Sequence, residues 1–253
     1  MQNPTYELLI NRKSTRVFTK QPIDDVIKRQ ILYAATQAPT AGNKMLYAMI
    51  DITDQSIKEQ LAESCDHQPF IATAPMVIVF CADYQRFYNG AKMFVDENAR
   101  TPEVGDMFLS MSDTLIAAHH AMIAADSLGI GSCYIGDIIE NIEFHQELLQ
   151  LPKYVLPICM IVFGYPTDQQ LQRPKPKRFD VSYLTHENQY HALDKEQHQK
   201  MIMTRNKQMN LDHVDATAYY KDYYHRKYMA DFTKEMNRSV SIMIKQFTHD
   251  PND

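Results

Sequence analysis

Hydrophobic and polar positions follow a helical period in some stretches of the chain and a strand pattern in others. Apolar residues at helical spacing predict a helix over residues 24–37, which a loop of small residues at 38–43 ends. Residues 47–52 and 76–81 have the length and composition of strands, and the second run is apolar throughout, as in a strand covered on both faces. Between them, Asp54 is placed to cap a short helix.

The strongest helical pattern runs from residue 108 to residue 128. It is apolar on nearly all sides, which predicts a buried central helix, and Gly129 is placed to end it in the left-handed conformation. Two further strands are expected at 132–135 and 155–163, with an amphipathic helix at 142–149 between them. Helices therefore alternate with strands, which favours a sheet with helices packed on its faces.

The pattern changes after Pro166. Residues 167–180 are polar and basic, residues 193–227 are rich in His, Lys, Tyr and Met with weak periodicity, and a final helix is expected at 229–247. A length of 253 residues fits one large domain or two small ones. The hydrophobic fraction of 45% excludes wholesale disorder, and the net charge of -5 argues against broad binding to nucleic acid or to an anionic membrane.

Several classes of chemistry receive no support from the sequence. The four cysteines are scattered and form no C-x-x-C pair, so we expect neither a disulfide framework nor a zinc site, and a reducing cytoplasm is the natural setting. The histidines lie at no metal-ligand spacing beside carboxylates, and no G-x-S-x-G motif supports a hydrolase. No apolar run approaches the about 20 residues needed to cross a bilayer, and the amino terminus has no secretory signal pattern.

Two segments could hold an anion. Residues 12–16 (R-K-S-T-R) place three cations and two hydroxyls close together, and guanidinium groups form charge-assisted, often bidentate bonds to phosphate. Residues 175–178 (K-P-K-R) are held extended by proline and present their cations on a stiff segment. Taken singly, the first also fits a solvated turn between helices, and the second also fits a solubilising surface loop.

Two other segments are built from small residues. Residues 39–43 (P-T-A-G-N) allow backbone amides to approach a flat ring or an anion, and the side chain of Asn43 can both donate and accept. Alternatively, this segment is a plain turn that ends a helix. Residues 129–136 (G-I-G-S-C-Y-I-G) follow a helix rather than joining a strand to one, so their glycine spacing is not a dinucleotide fingerprint. By itself, this segment is a tight turn into a buried strand.

In this order and spacing, the four segments resemble the nitroreductase/flavin reductase superfamily of FMN enzymes. The likeness is greatest to its branch of NADPH-dependent, oxygen-insensitive nitroreductases and flavin reductases. It covers residues 5–190, and further matches lie at residues 80–83, 124–129, 156–157, 164–166 and 186–190. No single motif is specific to the superfamily, but the ordered set is. The resemblance therefore favours the binding interpretation of each segment over the structural one.

The resemblance implies an α+β fold: a mixed, mainly antiparallel sheet flanked by helices, in an intertwined homodimer with a C-terminal extension. Residues 1–192 would form the FMN-binding core. Residues 193–253 would form an extension of the same domain that packs on the partner subunit. The implied location is the cytoplasm. The implied partners are a second copy of the chain and small-molecule electron acceptors, with no nucleic acid and no membrane.

The resemblance also assigns an FMN site, residue by residue. The phosphate would be held by cations and a hydroxyl of the two basic segments, namely Arg12, Ser14, Arg16, Lys175 and Lys177, with Lys13 beside them. The small-residue loop would lie along the isoalloxazine and the ribityl chain, through Pro39, Thr40, Ala41, Gly42 and Asn43. Gln68 would hydrogen-bond the flavin edge. One ring face would be covered, and a backbone amide donated near flavin N5, by Tyr134, Ile135 and Gly136.

The implied function is transfer of electrons from NADPH through FMN to nitro compounds, quinones or free flavins, by a ping-pong mechanism. No side chain is expected to be an obligatory acid or base, because the cofactor carries the chemistry. No metal is expected. Arg226 and Lys227 are candidates for the 2′-phosphate of NADPH, whereas Asp137 stands where relatives often carry a small residue.

Two alternatives remain at this stage. The first is an FMN-binding protein that stores or delivers the cofactor with little turnover. The second is a reductase of other acceptors, such as disulfides, azo dyes or chromate. The sequence ranks neither the acceptors nor NADPH against NADH, because the substrate pocket is shaped by the variable segments.

Overall fold

The computed structural model describes residues 3–248, and every helix and strand predicted before Pro166 is present in it. In chain order, the elements up to Arg173 are α1 (Pro4–Asn11), α2 (Asp25–Thr36), β1 (Tyr47–Asp51), α3 (Gln55–Ser64), α4 (Pro69–Thr73), β2 (Met76–Asp83), α5 (Gln85–Phe94), α6 (Val104–Ser127), β3 (Gly131–Ile135), α7 (Ile142–Leu148), β4 (Val155–Gly164) and α8 (Asp168–Gln172). The Asp54 carboxylate caps α3 by accepting from the amide of Ser56 at 2.8 Å, as predicted.

The strands of the described chain form one antiparallel sheet in the order β1-β2-β4-β3. The two central strands, β2 and β4, are buried along their whole length, which explains their continuous apolar runs. Their register pairs Ile78 with Ile161, and it shifts by one residue between Phe80 and Cys81. The predicted α+β class, with a mainly antiparallel sheet and flanking helices, is confirmed.

Alternate residues of β2 contribute to the two sides of the core. Ile78 and Phe80 pack with α2 and α6, where Ala121 is fully buried. Val79 points to the other face and packs with the fully buried Leu61 of α3. Because successive side chains of a strand point to opposite faces, one apolar strand supplies both layers of helices with a packing surface.

The long helix α6 is buried on one side only. Ala117 and Ala121 are fully buried against the sheet, whereas the side chains of Phe108 and Leu115 are 59% and 40% exposed. The prediction of a buried central helix therefore holds only for the side that faces the sheet. Its apolar residues occupy both sides of the helix, but residues 3–248 cover only the side that faces the sheet and α2.

The described residues divide into two compact units. The first comprises the residues up to Arg173 together with those from Glu235 onward, and the second comprises Pro174–Lys234. The second unit contains α9 (Lys195–Lys207), α10 (Ala216–Tyr223) and a π-helical turn at Tyr224–Tyr228, and α11 (Asp231–Lys245) returns the chain to the first unit. The weak periodicity of residues 193–227 did not predict α9 and α10. The predicted boundary between residues 192 and 193 stays a prediction.

The structure also shows the state of the cysteines and bears on metal binding and membrane spanning. Cys65, Cys81, Cys133 and Cys159 are all free and buried, and burial raises the pKa of each thiol above its ordinary value. Within residues 3–248, no group of His, Cys, Asp and Glu side chains is arranged to hold a metal ion. In the same residues, no helix has both the length and the apolar character that crossing a membrane requires.

Candidate functional site

The segment from Arg12 to Phe18 lies along the edge of the sheet, next to β3. The backbone amide of Thr15 donates to the carbonyl of Ser132 at 2.9 Å, and Phe18 forms an isolated antiparallel bridge with Pro166. Gly131 permits this approach, because a Cβ atom at that position would lie 2.5 Å from Thr15 Oγ1. The segment predicted to bind phosphate is therefore fixed to β3 by its backbone.

Arg12 points inward and pairs with a carboxylate. Its Nε lies 3.2 Å from Asp126 Oδ2, and the two side chains are only 17% and 16% exposed. Its Nη2 donates to the hydroxyl of Ser132 at 3.2 Å. Burial raises the pKa of Asp126 to about 6, and the guanidinium of Arg12 opposes that rise. The charge of Arg12 is thus already largely balanced within the fold.

Lys13 is also engaged. Its Nζ donates to the carbonyls of Leu171 and Arg173, at 2.5 Å each, where α8 ends. The last carbonyls of a helix lack intrahelical partners, and a lysine ammonium is a suitable donor to them. In this arrangement Lys13 joins the start of the chain to the end of α8.

Arg16 and Ser14 are held differently. Gln170 receives a hydrogen bond from the Arg16 amide at 3.4 Å and donates to the Ser14 carbonyl at 3.3 Å, which fixes the backbone on both sides of Thr15. The exposed guanidinium of Arg16 lies 6.0 Å from the centre of the Phe70 ring and forms no ion pair within residues 3–248. Unlike Arg12, it has a charge that is available to a ligand.

Gln68 connects the start of α4 with the end of β3. Its amide nitrogen donates to the carbonyl of Cys65 at 2.7 Å and to the Asp137 carboxylate at 2.7 Å. Asp137 directly follows the segment Tyr134–Gly136 that was predicted to cover a ring face. Gln68 is half-buried, so its amide lies at the edge of the fold rather than deep inside it.

An apolar hollow adjoins the predicted ring-face segment. Its volume is about 390 Å³, and its wall includes Tyr134 and Gly136 together with apolar side chains of α6, β4 and α11. Burial, with Cys159 nearby, raises the pKa of Tyr134, so its phenol stays protonated. The hollow therefore offers uncharged space next to the end of β3.

The loop at residues 39–43 is anchored to α6. Asp113 of α6, which is 2% exposed, accepts from the Thr40 hydroxyl, from the Ala41 amide at 2.9 Å and from the Leu46 amide at 3.1 Å. Gly42 and Asn43 have positive φ angles of 58° and 56°. These hydrogen bonds tie the loop to α6, not to the edge of the sheet where Arg12–Arg16 lies.

The remaining predicted residues belong to the second unit. Lys175 is half-buried and Lys177 is exposed, in a stretch without regular structure. Arg226 pairs with Asp222 at 3.0 Å and lies 4.9 Å from the ring centre of Tyr223. Lys227 is part of the wall of an aromatic groove of about 750 Å³, which also includes Tyr220, Tyr223, Tyr224, Tyr228 and Phe232.

The structure places three of the predicted pieces along β3. The segment 12–16 lies at its start, beside Gly131 and Ser132, whereas Tyr134–Gly136 and the contact between Gln68 and Asp137 lie at its other end. The structure adds three residues that sequence reasoning missed, namely Asp113, Asp126 and Ser132. Each of these lies more than 65 positions from the segment it holds, so no local spacing signals the contact. The signal that existed was a carboxylate within an apolar helical stretch, as at Asp113 and Asp126.

The comparisons with known proteins show the family of the chain. The model of the Nitroreductase family matches residues 9–165. The chain belongs to the Nitroreductase family. An oxygen-insensitive NADPH nitroreductase of Salmonella typhimurium is 35% identical over 192 residues, which is 76% of this chain and 77% of that protein. A Cr(VI) reductase of Pseudomonas is 30% identical over 233 residues, 92% and 93% of the two chains.

Members of the Nitroreductase family and solved structures support the same assignment. An FMN reductase (NADPH) of Bacillus subtilis is 31% identical over 191 residues, 75% of this chain and 76% of that protein. NfrA2 of B. megaterium has a TM-score of 0.80 at 25% identity and covers 97% of this chain and 98% of its own. Nitroreductase A of Vibrio parahaemolyticus also has a TM-score of 0.80 at 25% identity, with 96% and 98% covered. The predicted family is confirmed.

Proposed function

We propose that this protein is an FMN-dependent oxidoreductase that takes electrons from NADPH and passes them to nitro compounds, quinones or free flavins by a ping-pong mechanism. One observation carries the proposal: the segment 12–16, Gln68 and Tyr134–Gly136, all expected to contact FMN, lie along the same strand, β3. The Thr15–Ser132 hydrogen bond fixes the first at the start of β3, the Gln68–Asp137 hydrogen bond fixes the second at its end, and the guanidinium of Arg16 lies 6.0 Å from the ring centre of Phe70 in α4, the helix that begins after Gln68. Family membership supports the same conclusion.

The residues present fit a group that is anionic at one end and flat at the other. Arg16 is exposed and has no ion pair within residues 3–248, and the Ser14 hydroxyl lies in the same segment. The hollow beside Tyr134 and Gly136 is almost wholly apolar. FMN requires guanidinium and hydroxyl groups for its phosphate and apolar space for its ring, and the described residues supply both kinds of group.

When bound, FMN would supply the redox chemistry between NADPH and the acceptor. The residues of the chain would bind and orient it. Arg16 and Ser14 would hold the phosphate, with Arg12 behind them as a charge already paired to Asp126. Gln68 would contact the edge of the ring. The apolar wall at Tyr134 would exclude water from the ring face, which would strengthen nearby electrostatic interactions. No side chain is assigned as an acid or a base.

The coenzyme assignment rests on relatives and on two cations. The Salmonella nitroreductase and the Bacillus FMN reductase are both named for NADPH. We assign Arg226 and Lys227 to its 2′-phosphate. The pairing of Arg226 with Asp222 is exposed on both sides, so a phosphate dianion can replace the carboxylate at low cost.

The acceptor has one specific alternative. The Pseudomonas relative that matches over 92% of this chain is named for the reduction of Cr(VI). We therefore include chromate among the candidate acceptors, beside nitro compounds, quinones and free flavins. A protein that only stores or delivers FMN is the remaining alternative, and it differs in having little turnover.

We also propose that the protein is a homodimer. Apolar side chains of α1 and α6 are exposed in the single chain, including Leu9 at 44%, Phe108 at 59% and Leu115 at 40%. A groove of about 630 Å³ separates the two helices, with mostly apolar walls. Apolar patches of this kind are typical of obligate interfaces. Light scattering should give twice the mass of the chain, and a stable monomer would contradict the proposal.

The test of function starts from the purified protein. It should be yellow, carry about one non-covalent FMN per chain, and lose its colour within milliseconds to seconds when excess NADPH is added without oxygen. Rates measured with NADPH and NADH, and with each acceptor class, rank the substrates. A protein that takes up no FMN would contradict the whole proposal. FMN that NADPH does not reduce would favour storage or delivery.

A further inference from the structure

The side-chain amide of Gln68 lies between two hydrogen-bond acceptors. Its nitrogen is 2.7 Å from the carbonyl oxygen of Cys65 and 2.7 Å from Asp137 Oδ2. A peptide carbonyl and an ionised carboxylate can only accept, so the amide has to turn its NH₂ group toward them. The orientation is therefore fixed by chemistry and not by the choice of which branch is nitrogen. The amide oxygen occupies the other branch.

Glu140, which interacts with Asp137, helps Asp137 to remain a hydrogen-bond acceptor. Glu140 is 4% exposed, and its Oε1 has no hydrogen-bond partner within residues 3–248. Burial raises the pKa of Glu140 to about 7, and the carboxylates of Asp137, Asp66 and Glu235 add to this rise. A protonated Glu140 can donate to Asp137. One proton held there reduces the repulsion between the two carboxyl groups and leaves Asp137 able to accept from Gln68.

We propose that Asp137 is a positioning residue that holds the Gln68 amide with its oxygen outward, so that Gln68 meets the FMN ring as an acceptor and selects its N3–H. This inference rests on the proposed function. N3–H is the one N–H donor of the oxidised isoalloxazine ring, whereas N1, O2, O4 and N5 all accept. An amide turned the other way would present N–H groups and would favour those acceptors instead.

The test compares FMN with 3-methyl-FMN, in which a methyl group replaces that hydrogen. Dissociation constants are measured on the apoprotein by flavin fluorescence. The wild type should bind FMN about tenfold or more tightly than 3-methyl-FMN, because the analogue leaves the amide oxygen unpaired. Gln68→Leu should bring the two constants to within about twofold of each other.

Variants of Asp137 separate positioning from packing. Asp137→Leu should lose most of the discrimination, whereas Asp137→Asn should keep it, because the asparagine oxygen still accepts from Gln68. Asp137→Ala is the second variant if the leucine protein does not fold. In the Gln68→Leu background, changing Asp137 should add nothing to the loss, since the two residues act as one unit. Asp66→Asn removes a nearby carboxylate without touching the amide and should leave the ratio unchanged.

The outcomes are distinguishable from a failure of the proposed function. If the wild type binds neither flavin, the proposed function fails and this inference fails with it. If FMN binds but the wild type does not discriminate against 3-methyl-FMN, the acceptor role of Gln68 is wrong while the proposed function stands. Full discrimination in both Asp137→Leu and Asp137→Ala would likewise overturn the positioning role. A variant that is merely less stable would bind both flavins more weakly, and the ratio of the two dissociation constants would stay the same.

Discussion

Two arginines predicted to bind phosphate have opposite surroundings. Arg12, in the first unit, is 17% exposed and pairs with Asp126, which is 16% exposed and distant in sequence. Arg226, in the second unit, is 51% exposed and pairs with Asp222 one helical turn before it. A buried pair is costly to break because it leaves a desolvated charge, whereas an exposed pair contributes about 0–1 kcal/mol.

The difference shows that a residue type and its motif do not determine how a charge is used. Arg12 supports the fold and already has a counter-charge, so a phosphate would have to share it with Asp126. Arg226 can exchange its carboxylate for another anion without loss of structure. Arg16, which lies four positions after Arg12, differs from both because it forms no ion pair within residues 3–248.

The largest effect is expected where the buried pair is broken. Arg12→Ala should destabilise the apoprotein by about 3 kcal/mol, because Asp126 would remain buried without a partner. Asp126 would then hold a proton more tightly than its present pKa of about 6 indicates, so the loss should be larger at pH 8 than at pH 5. Urea unfolding at both pH values measures this. An equal loss at the two values would show that the pairing with Asp126 is not the cause.

Arg16→Ala should affect binding rather than stability. Loss of a charge-assisted phosphate contact costs about 1.5–3 kcal/mol, so FMN should bind at least tenfold more weakly. The unfolding midpoint of the apoprotein should change little, since the exposed Arg16 forms no ion pair within residues 3–248. Riboflavin, which lacks the phosphate, should bind equally to the variant and the wild type. A riboflavin affinity equal to that of FMN in the wild type would contradict the phosphate assignment.

The exposed pair of Arg226 and Asp222 in the second unit is tested by comparing NADPH with NADH. Replacing Arg226 and Lys227 together by Ala should lower kcat/KM for NADPH about ten- to thirty-fold and leave that for NADH nearly unchanged, because only NADPH carries the 2′-phosphate. Salt should weaken the wild-type preference in the same direction. A double variant with lower thermal stability and an unchanged NADPH/NADH ratio would assign the two residues a structural role.

A last effect concerns Glu140, a buried carboxyl that forms no ion pair within residues 3–248. Its pKa is raised to about 7, so the folded state binds its proton more tightly than the unfolded chain does. Wild-type stability should therefore fall as the pH rises from about 4.5 to about 7. Glu140→Gln should remove this fall, so that the variant is more stable than the wild type at pH 8 and about equally stable at pH 4. Unfolding curves across this range measure the difference, and a pH-independent gain would contradict it.

Much of the fold could be predicted because its signal is local. The apolar run of β2, the stripe of α2 and the cap at Asp54 each lie within a few residues of the structure they specify. The helices of residues 193–227 could not be predicted in this way. α9 has few apolar residues and is buried only at Met201, Ile202 and Asn206, and α10 has no buried residue.

For the candidate site, the sequence pointed to individual residues but not to the contacts between them. Motif order assigned Arg16, Gln68 and Gly136 to the predicted FMN site, and it gave Arg12 the same role as Arg16, with Lys13 beside them. The partners that distinguish them, Asp126 and the carbonyls at the end of α8, are brought close only by the tertiary fold. For the same reason, the contact between Gln68 and Asp137 could not be inferred from spacing.

The close packing of Thr15 on Gly131 has a consequence for the order in which the protein is made. The segment predicted to bind phosphate leaves the ribosome before its backbone partner, Ser132, which follows more than a hundred residues later. Contacts of such long sequence separation form late, because the intervening chain has to be ordered first. A nascent chain that ends before β3 therefore carries this segment without its docking site. During synthesis the predicted anion site is completed by β3, and not by the segment that carries its charges.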